Sequence, residues 1–377
     1  MITEIKKNPM YAYLLLLVVA MTIGFQAWRT LMNNFAVDQI GVTGLQIGVI
    51  QSIREIPGFL ALLVVFLLYI FKEHKFAAFN IILLGVGVFA TGLFPSYYGL
   101  IVTTLIMSTG FHYYETVNQS LTLQYFNKDQ ASIVIGKIKS IGALTNIIIG
   151  ALIWILAKYM SLSWQFIFFG AIVIILGFYA ISKNPTDKNM VPQQKKMILK
   201  KKYWLFYVLN FLGGARRQVF VVFAVFMLVD KYNFGVEEIA ILFIINNIAT
   251  YFVSPLVAKA INKFGERIVL SVEYLSLIVV FLSYAYIDSR MLIAGLYVAD
   301  HIFFSASMAI NTSFQKTADA EDIAPSMAVG FTINHISAVV IPLIGGALWM
   351  LNWRIPFYGG AIIAVLSLFF AQFVKTK

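Results

Sequence analysis

The sequence contains no cysteine. That excludes disulfides, thiolate metal sites and cysteine nucleophiles together. It is also poor in charge. Only 12% of its 377 residues are Asp, Glu, Lys or Arg, against roughly 25% in a soluble globular chain. A soluble multi-domain enzyme is excluded on that ground. No G-x-x-x-x-G-K-[ST] phosphate loop occurs, so ATP drive within the chain has no visible machinery. No H-E-x-x-H or G-x-S-x-G segment offers a hydrolytic centre. The expectation is a protein that is not an enzyme and carries no cofactor.

What the chain has instead is apolar mass. It is 60% hydrophobic, with 33 Phe and 19 Tyr, and its mean hydropathy is +0.84. So many large apolar groups exclude disorder. A membrane β-barrel gives only a weak alternating signal, and this signal is strong and continuous. The class that remains is an all-α polytopic membrane protein. The net charge is +11. In a soluble chain that would suggest nucleic acid. Here its distribution matters more than its sum, and no nucleic-acid partner is expected.

A spanning helix needs about 20 apolar residues, and the pattern predicts twelve. They cover residues 10–36, 44–70, 76–94, 97–124, 131–158, 163–182, 203–230, 236–262, 267–287, 291–316, 323–351 and 355–374. Loop chemistry marks the breaks, as at Gly41, Pro95-Ser96 and Asp288-Ser289-Arg290. Lys and Arg positions set the orientation. With the N-terminus in the cytoplasm, the inner segments hold Lys6, Lys7, Lys72, Lys75, Lys128, seven lysines between Lys183 and Lys202, Lys259, Lys263, Arg267, Lys316, Lys375 and Lys377. The outer segments hold only Lys158, Lys231, Arg290 and Arg354. Both termini are therefore expected in the cytoplasm. Lys6-Lys7 before an apolar run resembles a signal peptide, but the first span is read as retained. Short loops and minimal tails point to a bacterial inner membrane.

The polar segment 183–202, with its seven lysines, divides the spans six to six. It predicts three parts: a first six-helix bundle at 1–182, a basic cytoplasmic linker at 183–202 held near anionic lipid, and a second bundle at 203–377. The halves share local matches in the same order. Arg29 with Phe35-Ala36-Val37 lines up with Arg217 and Phe223-Ala224-Val225. His112 lines up with His301, and Gly150-Ala-Leu with Gly346-Ala-Leu. Two related bundles with a cavity between them are a transporter architecture.

Twelve spans, the six-plus-six division and the basic linker resemble the major facilitator superfamily. The signature of that family, roughly G-x-x-x-D-R-x-G-R-R, follows spans two and eight. Its second copy is recognisable here from Ala258 to Arg267, where Gly265 and Arg267 match while Asn262, Lys263 and Glu266 replace Asp, Arg and Arg. The first copy, from Tyr69 to Lys75, departs from the pattern, which puts the charged latch of the first half in question. The resemblance implies alternating access, a monomer, and a cavity lined by spans 1, 2, 4, 5, 7, 8, 10 and 11.

A charge at the centre of a span costs about 2.5–3.5 kcal/mol on insertion scales, so buried ionisable groups are functional candidates. Candidates for solute binding are Arg29, Arg54, Arg216 and Arg217, with Tyr113 and Asn118 beside them. Two arginines on repeat-related helices can clamp a carboxylate or phosphate. Candidates for proton coupling or gating are Glu55, His112, Glu115, Asp300, His301 and His335. His112 and Glu115 stand at i, i+3 and are expected to share a face. For each, a structural ion pair or a backbone partner is the competing reading. Arg54 and Glu55 are neighbours, expected to point about 100° apart and to need different partners. Arg216 is expected to pair with Asp300. Glu273 is expected near the cytoplasmic interface, with no role. No metal site is expected, since no pair of histidines has ligand spacing on one helix.

Four arginines against three carboxylates leave a positive excess. The reading is a secondary transporter for a small polar solute, with an anion favoured and proton coupling expected. A multidrug or metabolite exporter of the same fold is the alternative. A receptor or lipid scramblase on this scaffold is a remote one.

Overall fold

In a computed structural model, the described residues are 2–68, 70–126, 128–186, 199–319 and 322–374. Residues 187–198, most of the basic linker with Lys188, Lys195 and Lys196, lie outside them. So do Lys375 and Lys377. The expected contact of that linker with anionic lipid therefore falls largely outside the described residues.

Each expected span is represented by helix. We label them α1 (Pro9–Ile40), α2 (Gly44–Phe59, continued by Leu60–Leu63 and Val64–Leu67), α3 (Glu73–Leu93), α4 (Tyr97–Tyr125), α5 (Lys128–Leu156) and α6 (Leu162–Ile181). The second set is α7 (Lys201–Asp230), α8 (Val236–Phe264), α9 (Glu266–Tyr286), α10 (Arg290–Thr317), α11 (Ile323–Leu351) and α12 (Ile355–Ala371). Among the described residues, nine helices are long and apolar enough to cross a membrane, and α12 is a shorter apolar helix. The remaining two have evident reasons. α2 carries Arg54 and Glu55 and tightens into a 3-10 turn after Pro57, because proline removes one backbone donor and clashes with the preceding turn. α4 carries the polar run from His112 to Ser120.

Local chemistry starts and stops the helices. Asn8 caps α1 through its side chain, with Pro9 in the first helical turn. Ser96 caps α4 by accepting from the Gly99 amide at 3.0 Å. Gly41 ends α1 at φ 73°, a left-handed conformation in which glycine carries no steric cost.

The chain forms two compact units. The first gathers Met1–Gly41, Ile56–Lys195 and Val236–Ile244, and the second gathers Val42–Glu55, Lys196–Gly235 and Ile245–Lys377. In the first, α3 packs on α4 and α6, and α1 on α5 and α6. In the second, α9 packs on α10 and α12, and α7 on α11 and α12. The same pairing recurs with six added to each label, so the local sequence matches between the halves have a counterpart in packing. Close approach in the first unit rests on Gly87, where an added Cβ would fall 2.6 Å from Met107 Cα. The outer faces carry exposed apolar side chains such as Phe79, Ile175, Val279 and Ile362, as a lipid-facing surface requires. Tyr98, Tyr159, Trp164 and Tyr286, beside the short connections, are exposed, matching the aromatic belt of a membrane interface.

Candidate functional site

The candidate site is built in the second unit where the first half of α2 meets α7 and α11. α2 and α11 approach closely because Gly48 has no side chain. A Cβ there would fall 2.2 Å from the Pro342 carbonyl oxygen and 3.0 Å from Gly346 Cα. Two helical turns along α2 lies Glu55, and two turns back along α11 lies His335. Seven residues rise about 10.5 Å on each helix, so the glycine contact sets the register that brings the two side chains together.

Glu55 is the hub. Arg54 donates to its Oε1 from Nη2 at 2.5 Å and from Nε at 3.2 Å. His335 Nδ1 lies 2.9 Å from Oε2. An ionised carboxylate only accepts, so in that state the imidazole donates from Nδ1. Arg217 Nη2 reaches within 3.8 Å of the same oxygen. Arg54, Glu55 and His335 are buried, whereas the Arg217 side chain is 31% exposed. Phe331 packs edge-on against His335 at 4.4 Å. Two guanidiniums and an imidazole thus surround one carboxylate.

This corrects one expectation. Arg54 and Glu55 leave the helix in different directions, yet they are each other's partners. The three-methylene stem of arginine lets its planar fork fold back across the angle between them, and burial favours the nearest counter-charge.

A second cluster lies deeper in the same unit. Arg216 Nη2 donates to Glu273 Oε1 at 2.7 Å, with side-chain exposures of 1% and 0%. Its guanidinium sits 4.5 Å from the Tyr274 ring centroid and 5.9 Å from that of Phe304. Asp300 is buried, with Arg216, Tyr284 and Glu273 as its electrostatic neighbours. Two more expectations change here. The direct hydrogen bond of Arg216 goes to Glu273. Glu273, expected to have no role, is buried and accepts the Arg216 hydrogen bond. A carboxylate in an apolar run was the signal for it.

Arg29 donates from Nη2 to Gln26 Oε1 at 3.0 Å and packs over the Phe243 ring at 4.6 Å. His112 is buried against Phe111 at 4.9 Å, while Glu115 is exposed, so the expected shared face does not bring them to one environment. Three residues turn a helix by about 300°, which leaves the two side chains about 60° apart. Tyr113 and Asn118 are half-buried. His301 Nε2 meets Thr250 Oγ1 at 2.9 Å and Phe220 at 5.8 Å. Thr250 gave no signal in sequence.

Both Arg29 and Arg217 precede a π-helical turn, Phe35–Ile40 in α1 and Val219–Ala224 in α7. Such turns are rare and concentrate at functional sites.

At the helix ends, Glu266 in the second signature copy pairs with Lys316 at 2.6 Å, and Arg267 Nε donates to the Val374 carbonyl. In the divergent first copy, Glu73 accepts from Gln124 Nε2 at 2.8 and 3.0 Å, a neutral donor in place of a charge. Asp322 accepts from Lys200 Nζ at 2.8 Å and from the Tyr203 hydroxyl at 2.7 Å. The hydrogen bond from Lys200, and then that from Tyr203, holds the Asp322 carboxyl down at about 2. The same contact raises the Lys200 ammonium.

A family model described as Major Facilitator Superfamily matches residues 14–340. No curated protein matches the chain. Among solved structures, a point mutant of the nucleoside transporter NupG is similar at TM-score 0.79 and 15% identity, over 96% of this chain and 98% of that one. A bacterial homolog of the human lysosomal transporter Spinster, in an inward-facing and occupied conformation, is similar at TM-score 0.74 and 12% identity, over 97% and 96%.

Proposed function

The chain belongs to the Major Facilitator Superfamily, and from that membership we propose that it is a proton-coupled secondary transporter for a small anionic solute. The observation that carries this reading is the Glu55 cluster. One buried carboxylate is held by Arg54 and His335, with Arg217 at 3.8 Å and partly exposed. An incoming carboxylate or phosphate competes with Glu55 for the Arg217 guanidinium, which presents the fork geometry such groups accept. Glu55 then loses part of its counter-charge and regains balance by taking a proton, with His335 as its hydrogen-bonded neighbour. We further propose Arg29, Tyr113 and Asn118 for solute binding, and His112 and Glu115 for proton coupling or gating. The organisation we propose is a bundle at 1–182, a cytoplasmic linker at 183–202 and a bundle at 203–377. The protein works as a monomer in a bacterial inner membrane, with both termini inside. The solutes in the names of NupG and the Spinster homolog belong to those proteins. At 12–15% identity only the fold carries over.

The test is the external pH of proteoliposomes on adding pooled organic carboxylates and phosphates, and separately a lipophilic phosphonium cation. Alkalinisation with the anions alone, lost in Arg217→Ala, is expected. Anion uptake without a pH change removes the proton from the reading. A response to the cation alone replaces it with an exporter.

A further inference from the structure

We propose that Glu273 and Asp300 form a one-proton binding site beside Arg216, in the interior of the second unit. The argument starts from the count of charges. The groups that face this cluster are Arg216 from α7, Glu273, Tyr274 and Tyr284 from α9, and Asp300 and Tyr297 from α10. The buried face of α12 contributes no ionisable residue. His335, on α11, is engaged with Glu55. One guanidinium, which stays charged, thus serves two carboxyl groups. With both ionised, the cluster carries an unbalanced negative charge away from water, which is strongly disfavoured. One proton on the pair balances it.

The geometry gives that proton places to sit. Glu273 Oε2 and Asp300 Oδ2 are both buried, and neither finds a hydrogen-bond partner among the described residues. Arg216 is fixed by its bond to Glu273 Oε1 and by the Tyr274 and Phe304 rings. The cation therefore stays, and the proton is the charge that moves. The exchange is a simple one: a proton binds to a carboxylate oxygen and leaves as a proton, changing the cluster by one charge.

The cluster is joined to the solute cluster by adjacent residues. Arg216 serves Glu273, and Arg217 reaches towards Glu55. A change at either arginine therefore acts on the same turn of α7, directly before the π-helical turn Val219–Ala224. Using the proton for coupling rests on the transporter reading above; the existence of the site does not.

The test is infrared titration of the purified full-length protein in lipid nanodiscs, with no solute added. The probe is the proton itself, with pH varied about neutrality. A protonated-carboxyl C=O band, identified by its downshift in heavy water, is expected. It should disappear or fall by at least half in Glu273→Gln and in Asp300→Asn, and remain in Glu55→Gln. Absence of the band in the wild type, or its persistence in both variants, overturns the proposal. If a neutral variant does not fold, Glu273→Asp and Asp300→Glu decide, because each must move the band. A band present without anion transport would leave this site standing and sink the transporter reading. Anion transport without the band would do the reverse.

Discussion

Replacing Arg216 with methionine strips the cation from a carboxylate whose side chain is 0% exposed, and it leaves Asp300 buried close by. Breaking a buried ion pair by removing one partner costs about 3–5 kcal/mol in soluble proteins. In a bilayer the unfolded reference keeps its helices and finds other partners, and hydrogen-bond couplings there average about 0.6 and reach about 1.7 kcal/mol. A charged pair with no solvent access belongs above that range, so we expect Arg216→Met to cost about 2–3 kcal/mol. Glu273→Leu should cost less, because Arg216 keeps Asp300 as a counter-charge. The double variant should recover about half or more of the summed loss, since an apolar replacement of a buried pair is often close to neutral. The assay is a double-mutant cycle on unfolding free energy in mixed micelles. Additive single effects, or a loss in Glu273→Leu larger than in Arg216→Met, would refute the reasoning.

Three further outcomes follow from the geometry. Arg217→Ala should raise KM for anion uptake by about 10-fold or more, the lower end of a charge-assisted hydrogen bond, while Arg54→Ala, at a buried position, should also lower the yield of folded protein; uptake kinetics beside size-exclusion profiles check both. Gly48→Ala forces a Cβ to within 2.2 Å of the Pro342 carbonyl oxygen and should destabilise by about 1–3 kcal/mol, measured by thermal unfolding, with reduced transport because Glu55 and His335 lose register. Asp322 has a depressed carboxyl, so its contribution to stability is present above the ordinary carboxylate range, about 3.9, and is lost as pH falls through about 2. Its Asn variant should lack that acid-dependent loss and be cut several-fold faster by trypsin around Lys200–Lys202 at neutral pH.

Much of the candidate site was legible because burying a charge in a span is costly enough to announce itself. Arg54, Glu55, Arg217 and His335 stood out by residue type and depth alone. Their partnership did not, because Glu55 and His335 are 280 residues apart and meet only through the α2–α11 approach at Gly48. The direction of Glu273 was also invisible. Hydropathy places a residue along a helix, but its rotational face depends on which neighbour packs there. For the same reason the sequence did not tell that His112 is buried and Glu115 exposed. An i, i+3 spacing makes two residues neighbours on a helix without giving them one environment.

The sequence by itself determined the class, the number and course of the spans, the basic segment between the halves and the residue types that can carry charge inside a membrane. Those follow from local rules: about 20 apolar residues to cross a bilayer and a high cost for each charge that does not find a partner. The tertiary structure decided which partner each charge took. That choice sent Arg216 to Glu273, Arg217 towards Glu55, and His301 to Thr250. It depends on helix rotation and on distances set by glycine contacts between segments far apart in the chain, which no local pattern encodes.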